Sequence, residues 1–205
     1  MNNIDKLNLS LGLVKQAFLK RLTKMFKPSL SDLMKARRGM HMTSNPFDAY
    51  FEFSHRYAKQ HGIDTSDIPD DVMAKFKDAV FNNHGVYLPQ YKLGYISRKN
   101  KANLEAFVRT KRHELIHGIQ HSLPFMRSTL AGKVNKIPFI GKRFGALADE
   151  LEAHAYQDPK YKLGGIRRFN HALPSYIASH KDTPEELGFK LYDKARTMWP
   201  LNKYE

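Results

Sequence analysis

The chain has 205 residues, of which 41% are hydrophobic, and a formal net charge of +14 at pH 7. This length and composition fit one folded domain with a small attachment at most, and no apolar run approaches the roughly 18 residues that a membrane span requires. The sequence contains no cysteine, so disulfide bonds and thiolate metal sites are excluded and any metal must be held by nitrogen and oxygen.

Residues 1–44 are predicted to form a basic N-terminal helical segment. Apolar side chains recur at helical spacing from Leu11 to Phe26, with lysine and arginine largely between them, until Pro28 ends the pattern. Two interpretations stay open: a helix packed on the core with a solvated basic face, or a helix that docks on a partner or a membrane surface. The first residues lack the features of a secretory signal, so we expect a cytoplasmic location or a place in a larger particle.

Residues 45–205 are predicted to form the main domain, which opens with a helix. Asn45 and Pro46 are typical of a helix start, and Gly62 is typical of the position just past a helix end. The aromatic residues of this helix, Phe47 among them, are expected to face the core or nearly so.

A second helix is predicted from Pro69 to about Phe81, and the stretch after it changes character. Between Val86 and Ser97 the helical periodicity is lost, which predicts a hairpin or two short strands, the second over residues 92–98. The overall balance is α+β and predominantly helical, with a small sheet.

The sharpest chemical signal is the motif His-Glu-x-x-His, which begins at His113. At 3.6 residues per turn, His113 and His117 lie on one face of a helix and their rings can converge on one cation. Glu114 is rotated by about 100° and lies beside such a cation. A catalytic zinc ion takes three protein ligands and one water, from which a neighbouring carboxylate can remove a proton.

The motif lies in a stretch with helical periodicity. A helix is predicted from about Leu104 to His121, with Asn103 as its N-cap and with Leu104 and Val108 on the buried side. The alternative to a metal site is that the histidines are ordinary surface or core side chains of this amphipathic helix.

A third metal ligand has to come from another segment. His121 would lie about 12 Å along the helix axis from His113, too far to share one zinc ion. The best donor is a second predicted helix over residues 148–156, where Glu150 and Glu152 compete and small residues allow close helix packing.

The structure of the chain between and after these helices is predicted from its glycine, proline and helix-capping residues. Residues 122–144 are rich in basic side chains, glycine and proline and indicate a long loop. A helix from Ile166 to about Ala172 is expected to break at Pro174. A capping box at Thr183 opens a C-terminal helix. Its expected buried stripe consists of Leu187, Leu191, Ala195 and Met198.

Together, the His-Glu-x-x-His helix and the segment around Glu152 resemble the zincin metallopeptidases, in the branch whose third ligand is a glutamate on a following helix. The Glu-x-Glu-Ala stretch is similar to the second-helix motif of the ImmA/IrrE-type metallopeptidases. The resemblance implies a zincin-like core with a small sheet bordering the active-site helix. It also implies that His113, His117 and Glu152 bind Zn²⁺, that Glu114 is the general base, and that residues 93–97 pair with an extended peptide.

The predicted function is therefore that of a zinc-dependent metallopeptidase, a hydrolase acting on a peptide or protein substrate. Attack of water on the peptide carbonyl forms an oxyanion, which the metal and one further hydrogen-bond donor would stabilise. Tyr156 is the first choice for this second donor, ahead of His154, Tyr161 and His171. His121 and His154 are expected to be surface histidines.

The alternative to an enzyme is a basic structural or nucleic-acid-binding protein of a larger assembly such as a virion, with a vestigial or structural zinc site. The net charge of +14 favours a polyanionic partner, either nucleic acid or an anionic membrane surface.

Overall fold

The computed structural model describes Ser31, Met34 and residues 38–99, 103–122, 130–158 and 162–198. Most of the predicted basic segment, including its amphipathic stripe, lies outside the described residues. Among the helices that are described, none has the length and apolar character needed to cross a membrane. The described part is predominantly helical with one small sheet, which confirms the predicted fold class at this level.

The first half of the described chain combines two helices with a three-stranded sheet. Its elements are β1 (His41–Thr43), α1 (Pro46–His61), a 3-10 turn (Thr65–Asp67), α2 (Asp70–Asn82), β2 (Gly85–Leu88), a second 3-10 turn (Pro89–Tyr91) and β3 (Leu93–Ile96).

The second half is helical. Its elements are α3 (Leu104–Gln120), α4 (Leu130–Val134), α5 (Ile140–Gln157), α6 (Lys162–Ser179) and α7 (Pro184–Met198).

Helix α1 begins and ends where its sequence signals predict. The Asn45 side chain accepts a hydrogen bond from the backbone N–H of Phe47 at 3.2 Å, and Pro46 occupies the first turn. Gly62 follows the last residue with φ +67°, a left-handed conformation that glycine adopts without steric cost.

The sheet has the order β1-β3-β2, so that β3 is the central strand. β1 runs parallel to β3, with His41 opposite Leu93, and β2 runs antiparallel to it, with Gly85 opposite Ile96. All four residues of β3 are buried. β2 is therefore an edge strand within the described part of the chain.

Three stretches differ from their predicted structure. β1 falls within residues 1–44, which were predicted to form a helical segment. Its three residues are too short for a periodic pattern and pair with a strand about fifty positions away. The predicted loop at residues 122–144 contains α4 and the start of α5. Helix α6 also continues through Pro174 without a break.

The core holds the site's three helices in place. α3 packs on α5 through Ile116, Ile119 and Ala153, which have no exposed surface. α5, α6 and α7 meet around Phe169 and Phe189, which are also fully buried. Each such large side chain contributes about 1.5–3 kcal/mol of burial free energy. The relative positions of α3, α5 and α6 are thus fixed by apolar packing on both sides of α5.

Candidate metal centre

Helix α3 presents the two motif histidines to the same point. Its N-cap is as predicted, since the Asn103 side chain accepts a hydrogen bond from the N–H of Ala106 at 3.0 Å. One turn separates His113 from His117, and their Nε2 atoms lie 3.1 Å apart. Both side chains are nearly buried, with about a tenth of their surface exposed.

Helix α5 adds a carboxylate to this pair. Glu150 Oε2 lies 3.4 Å from Nε2 of His113, and Glu150 Oε1 lies 3.5 Å from Nε2 of His117. His113, His117 and Glu150 therefore offer three potential ligand atoms within 4.8 Å of one another.

These three residues fit a zinc ion in both chemistry and spacing. Imidazole nitrogen and carboxylate oxygen bind zinc at about 2.0–2.2 Å, so two ligands of one tetrahedral ion lie about 3.3–3.6 Å apart. The observed separations between ligand atoms run from 3.1 to 3.5 Å. Three ligands leave the fourth position that a catalytic zinc site keeps for water or substrate.

Glu152, which the zincin resemblance favoured as third ligand, lies outside this group. Glu152 is 2% exposed, and its carboxylate accepts a hydrogen bond from Gln120 Nε2 at 3.0 Å. Residues two positions apart on a helix point in directions that differ by about 200°, so Glu150 and Glu152 point to opposite sides of α5. The structure thus favours Glu150, the competing ligand, and gives Glu152 a position behind the site.

Gln120 connects Glu152 to the histidine pair. Nδ1 of His117 lies 2.8 Å from Oε1 of Gln120, an acceptor, so His117 donates this hydrogen bond and turns its Nε2 toward the site. The amide nitrogen of Gln120 donates to Glu152 and to the backbone oxygen of Asp149. This arrangement orients the His117 ring, a role often played by the outer partners of metal ligands.

Glu114 lies beside the three residues, as the helical spacing predicts. Its side chain is 5% exposed and lines the same cavity. Burial raises the pKa of Glu114, against an opposing effect of His113 and His117. Strand β2 closes over it at Gly85, where a Cβ atom would lie 2.5 Å from Oε1 of Glu114.

The cavity in front of the site has a volume of about 330 Å³. Strand β2 and the residues around it form one wall, and α3, α5 and α6 form the rest. The lining residues are Asn83, Gly85, Val86, Tyr87, Pro89, His113, Glu114, His117, His121, Ala146, Asp149, Glu150 and Tyr176.

Comparisons with family models, curated proteins and solved structures find no match for this chain.

Tyr156, the predicted second donor, does not line the cavity. Its ring is 6% exposed and packs in the α3–α5 interface with Ile116 and Ile119, while its backbone oxygen accepts a hydrogen bond from Arg112. The tyrosine that reaches the cavity is Tyr176 of α6, whose hydroxyl donates to Glu150 Oε2 at 2.6 Å. No local pattern points to Tyr176, because it lies 26 residues from Glu150 on a different helix.

The two histidines expected at the surface have different environments. His154 is 9% exposed, and burial lowers its pKa to about 3, so its ring is neutral. Its Nε2 lies 3.0 Å from the Tyr176 hydroxyl. His121 is exposed as predicted, yet it borders the cavity with its ring 6.3 Å from that of Tyr87.

The histidine and carboxylate charges of the site depend on one another. Burial favours neutral His117, but the charge of Glu150, the hydrogen bond to it, and the charges of Glu114 and Asp149 together outweigh burial and raise the pKa of His117 to about 10. Burial likewise opposes ionisation of Glu150, but the positive charge of His117 and hydrogen bonds from both histidines hold its pKa well below the ordinary value. In the metal-free protein, a proton on His117 therefore balances the negative charge of Glu150, as a bound cation would.

A second group of potential ligands lies at β1 and α1, in His41, Asp48 and Glu52. His41 Nε2 contacts Asp48 at 3.0 Å, and Glu52 is paired with Arg56 at 2.9 Å. These ion pairs account for the cluster, since Arg56 already supplies the positive charge beside Glu52.

Proposed function

We propose that this chain is a zinc-dependent metallopeptidase that hydrolyses peptide bonds with Glu114 as general base. The observation that carries the proposal is the convergence of His113, His117 and Glu150 beside Glu114 in one cavity. A structural zinc site is closed by four protein ligands and has no use for a base. Three ligands with a neighbouring carboxylate and open space are what zinc hydrolysis requires.

His113 and His117 would hold the ion through Nε2, and Glu150 would hold it through its carboxylate. When bound, zinc supplies a Lewis acid that lowers the pKa of water and polarises a carbonyl group. Glu114 then removes a proton from the attacking water at its own carboxylate oxygen. It returns this proton to the leaving amine nitrogen as the peptide bond breaks.

The substrate would lie along β2. The zincin resemblance implied that residues 93–97 bind the peptide, but β3 has neighbours on both sides and its backbone is already paired. β2 is the edge strand, and Gly85, Val86 and Tyr87 border the cavity. An extended peptide can add to such an edge through main-chain hydrogen bonds, which place its carbonyl groups near the site.

The first experiment is the zinc content of the protein purified without added metal, by elemental analysis. We expect about one zinc per chain in the wild type, none in His117→Ala, and wild-type content in Glu114→Gln. Peptide-library cleavage by the wild type and not by Glu114→Gln would then assign the base. A wild-type protein that contains no zinc and takes up none on titration would overturn the proposal.

The net charge of +14 favours a second candidate, a basic nucleic-acid-binding or structural protein whose zinc site only adds stability. A protein of this kind should bind to a DNA column, and its retention should fall steeply as the salt concentration rises, because phosphate contacts release counterions. This retention would be the same in Glu114→Gln, whereas peptide cleavage would not. The two measurements therefore separate the candidates.

A further inference from the structure

The Tyr176 hydroxyl lies between two partners, which fixes the direction of its hydrogen bonds. It is 2.6 Å from Oε2 of Glu150 and 3.0 Å from Nε2 of His154. An ionised carboxylate only accepts hydrogen bonds, so the single hydroxyl hydrogen goes to Glu150. The nitrogen of His154 must then donate to the hydroxyl oxygen.

The direction of the hydrogen bond from His154 also determines the role of Gln157. A neutral His154 that carries its hydrogen on Nε2 has a lone pair on Nδ1, and Gln157 Nε2 lies 3.1 Å from that atom. The amide of Gln157 is therefore the donor. Three hydrogen bonds run in one direction, from Gln157 through His154 and Tyr176 to Glu150.

The fold brings these four residues together at the flank of α5 that faces α6. Glu150, His154 and Gln157 are spaced by four and three residues and so share one face of α5. His154 and Gln157 are 9% and 6% exposed, so water competes little for their hydrogen bonds. Tyr176 reaches this face from α6.

We propose that Gln157, His154 and Tyr176 are positioning residues that orient the Glu150 carboxylate for metal binding. The hydroxyl holds Oε2, which fixes the plane of the carboxylate and leaves Oε1 directed at His117. The hydrogen bond to Glu150 is short and charge-assisted, the strongest kind available to a tyrosine. This proposal rests on the proposed function in one respect, which is that Glu150 binds the metal.

The packing of Tyr176 allows its hydroxyl to be tested separately from its ring. The ring stacks on Phe169 and on Phe189, each with centroids 5.6 Å away. Tyr176→Phe keeps these contacts and removes only the hydrogen bonds. The matched control is Tyr192→Phe, which removes a hydroxyl that donates to Asn170 at 2.9 Å in the same helical cluster, away from the cavity.

The measurement is the zinc dissociation constant, from competition with a chromophoric chelator. Loss of an outer partner typically weakens metal binding 10–100-fold, and we expect about this loss in Tyr176→Phe with none in Tyr192→Phe. Unchanged affinity in Tyr176→Phe would overturn the proposal. Zinc binding in the wild type with this result would leave the metallopeptidase proposal intact, whereas absence of zinc binding in the wild type would overturn both.

A double-mutant cycle tests the order of the hydrogen bonds that link His154, Tyr176 and Glu150. His154→Phe should weaken zinc binding in the wild-type background and should cause no further loss in the Tyr176→Phe background, because His154 acts through the hydroxyl. Losses that simply add would overturn this order. Where His154→Phe fails to fold, Gln157→Leu removes the first donor and provides the same cycle.

Discussion

The carboxylate of Glu114 occupies the space in which a side chain at Gly85 would begin, since a Cβ atom there would lie 2.5 Å from Oε1. A second contact, with Thr110 at 2.7 Å, closes the same space from α3. Strand β2 therefore approaches the proposed base as closely as a backbone can. The position of Glu114 depends on the absence of a side chain in the strand opposite.

Gly85→Ala is expected to displace Glu114 and to abolish most of the peptide hydrolysis. A shift of about 1 Å in a catalytic group can cost 100-fold in rate. Zinc should stay bound because the three atoms nearest to a Cβ at Gly85 belong to Glu114 and Thr110 and not to the proposed ligands. The measurement is the cleavage rate of a peptide that the wild type cleaves, together with zinc content. The control is Gly62→Ala, where a Cβ atom would meet nothing within 4 Å and only the left-handed φ of +67° is strained. Equal loss of hydrolysis in both variants would contradict a local effect on Glu114.

Glu150→Gln and Glu152→Gln should have unequal effects on zinc. Glu150→Gln removes a charged ligand and should abolish tight binding. Glu152→Gln keeps an oxygen that can accept from Gln120 and should bind zinc within about tenfold of the wild type. Isothermal titration with zinc of both metal-free variants makes the comparison. Tight binding by Glu150→Gln together with its loss in Glu152→Gln would reverse the assignment.

Zinc binding should strengthen as the pH rises and should release a proton. The pKa of His117 is raised to about 10, so below that pH the metal-free protein carries a proton that the metal must displace. Ligands must be deprotonated to bind a metal, and one displaced proton gives about a tenfold change in affinity per pH unit. Titrations between pH 7 and 9, in buffers of different ionisation enthalpy, measure both quantities. A pH-independent affinity without proton release would show that His117 is already neutral in the metal-free protein.

Gln120→Met should weaken zinc binding about tenfold, because it removes the hydrogen bond that orients the His117 ring. It also removes one hydrogen bond to the buried Glu152, so we expect the free energy of unfolding to fall by about 1–3 kcal/mol. Chelator competition and denaturant titration measure the two effects separately. A variant that loses stability but binds zinc as tightly as the wild type would limit Gln120 to a role in packing.

The helix that carries the motif could be predicted from sequence because its signals are local. Asn103 as N-cap and the helical spacing of His113 and His117 require no knowledge of the rest of the chain. The choice between Glu150 and Glu152 depends on which flank of α5 faces the cavity, and that is set by the packing of α6. Tyr176 could not be inferred for the same reason.

Buried faces were harder to predict than helix positions. Phe47 is 83% exposed and Leu187 is 43% exposed, although both were expected to face inward or nearly so, and in α7 the buried residues are Gly188 and Phe189. A Cβ atom on Gly188 would lie 2.1 Å from the backbone oxygen of Arg143, so this face packs closely on the start of α5. A rotation of about 100°, one residue, changes which face is buried. The apolar spacing of α7 allows either of two neighbouring faces to be buried. Close packing on α5 favours the face that contains Gly188.

The edge formed by β2 also has a bearing on self-association. An edge strand exposes backbone groups that can pair with any extended chain, and long edges of this kind promote aggregation. β2 has only four residues, about 13 Å of strand, and Pro89 follows at once, without an N–H to donate. Such an edge is long enough to align a short peptide and too short to template a growing sheet between copies of the protein.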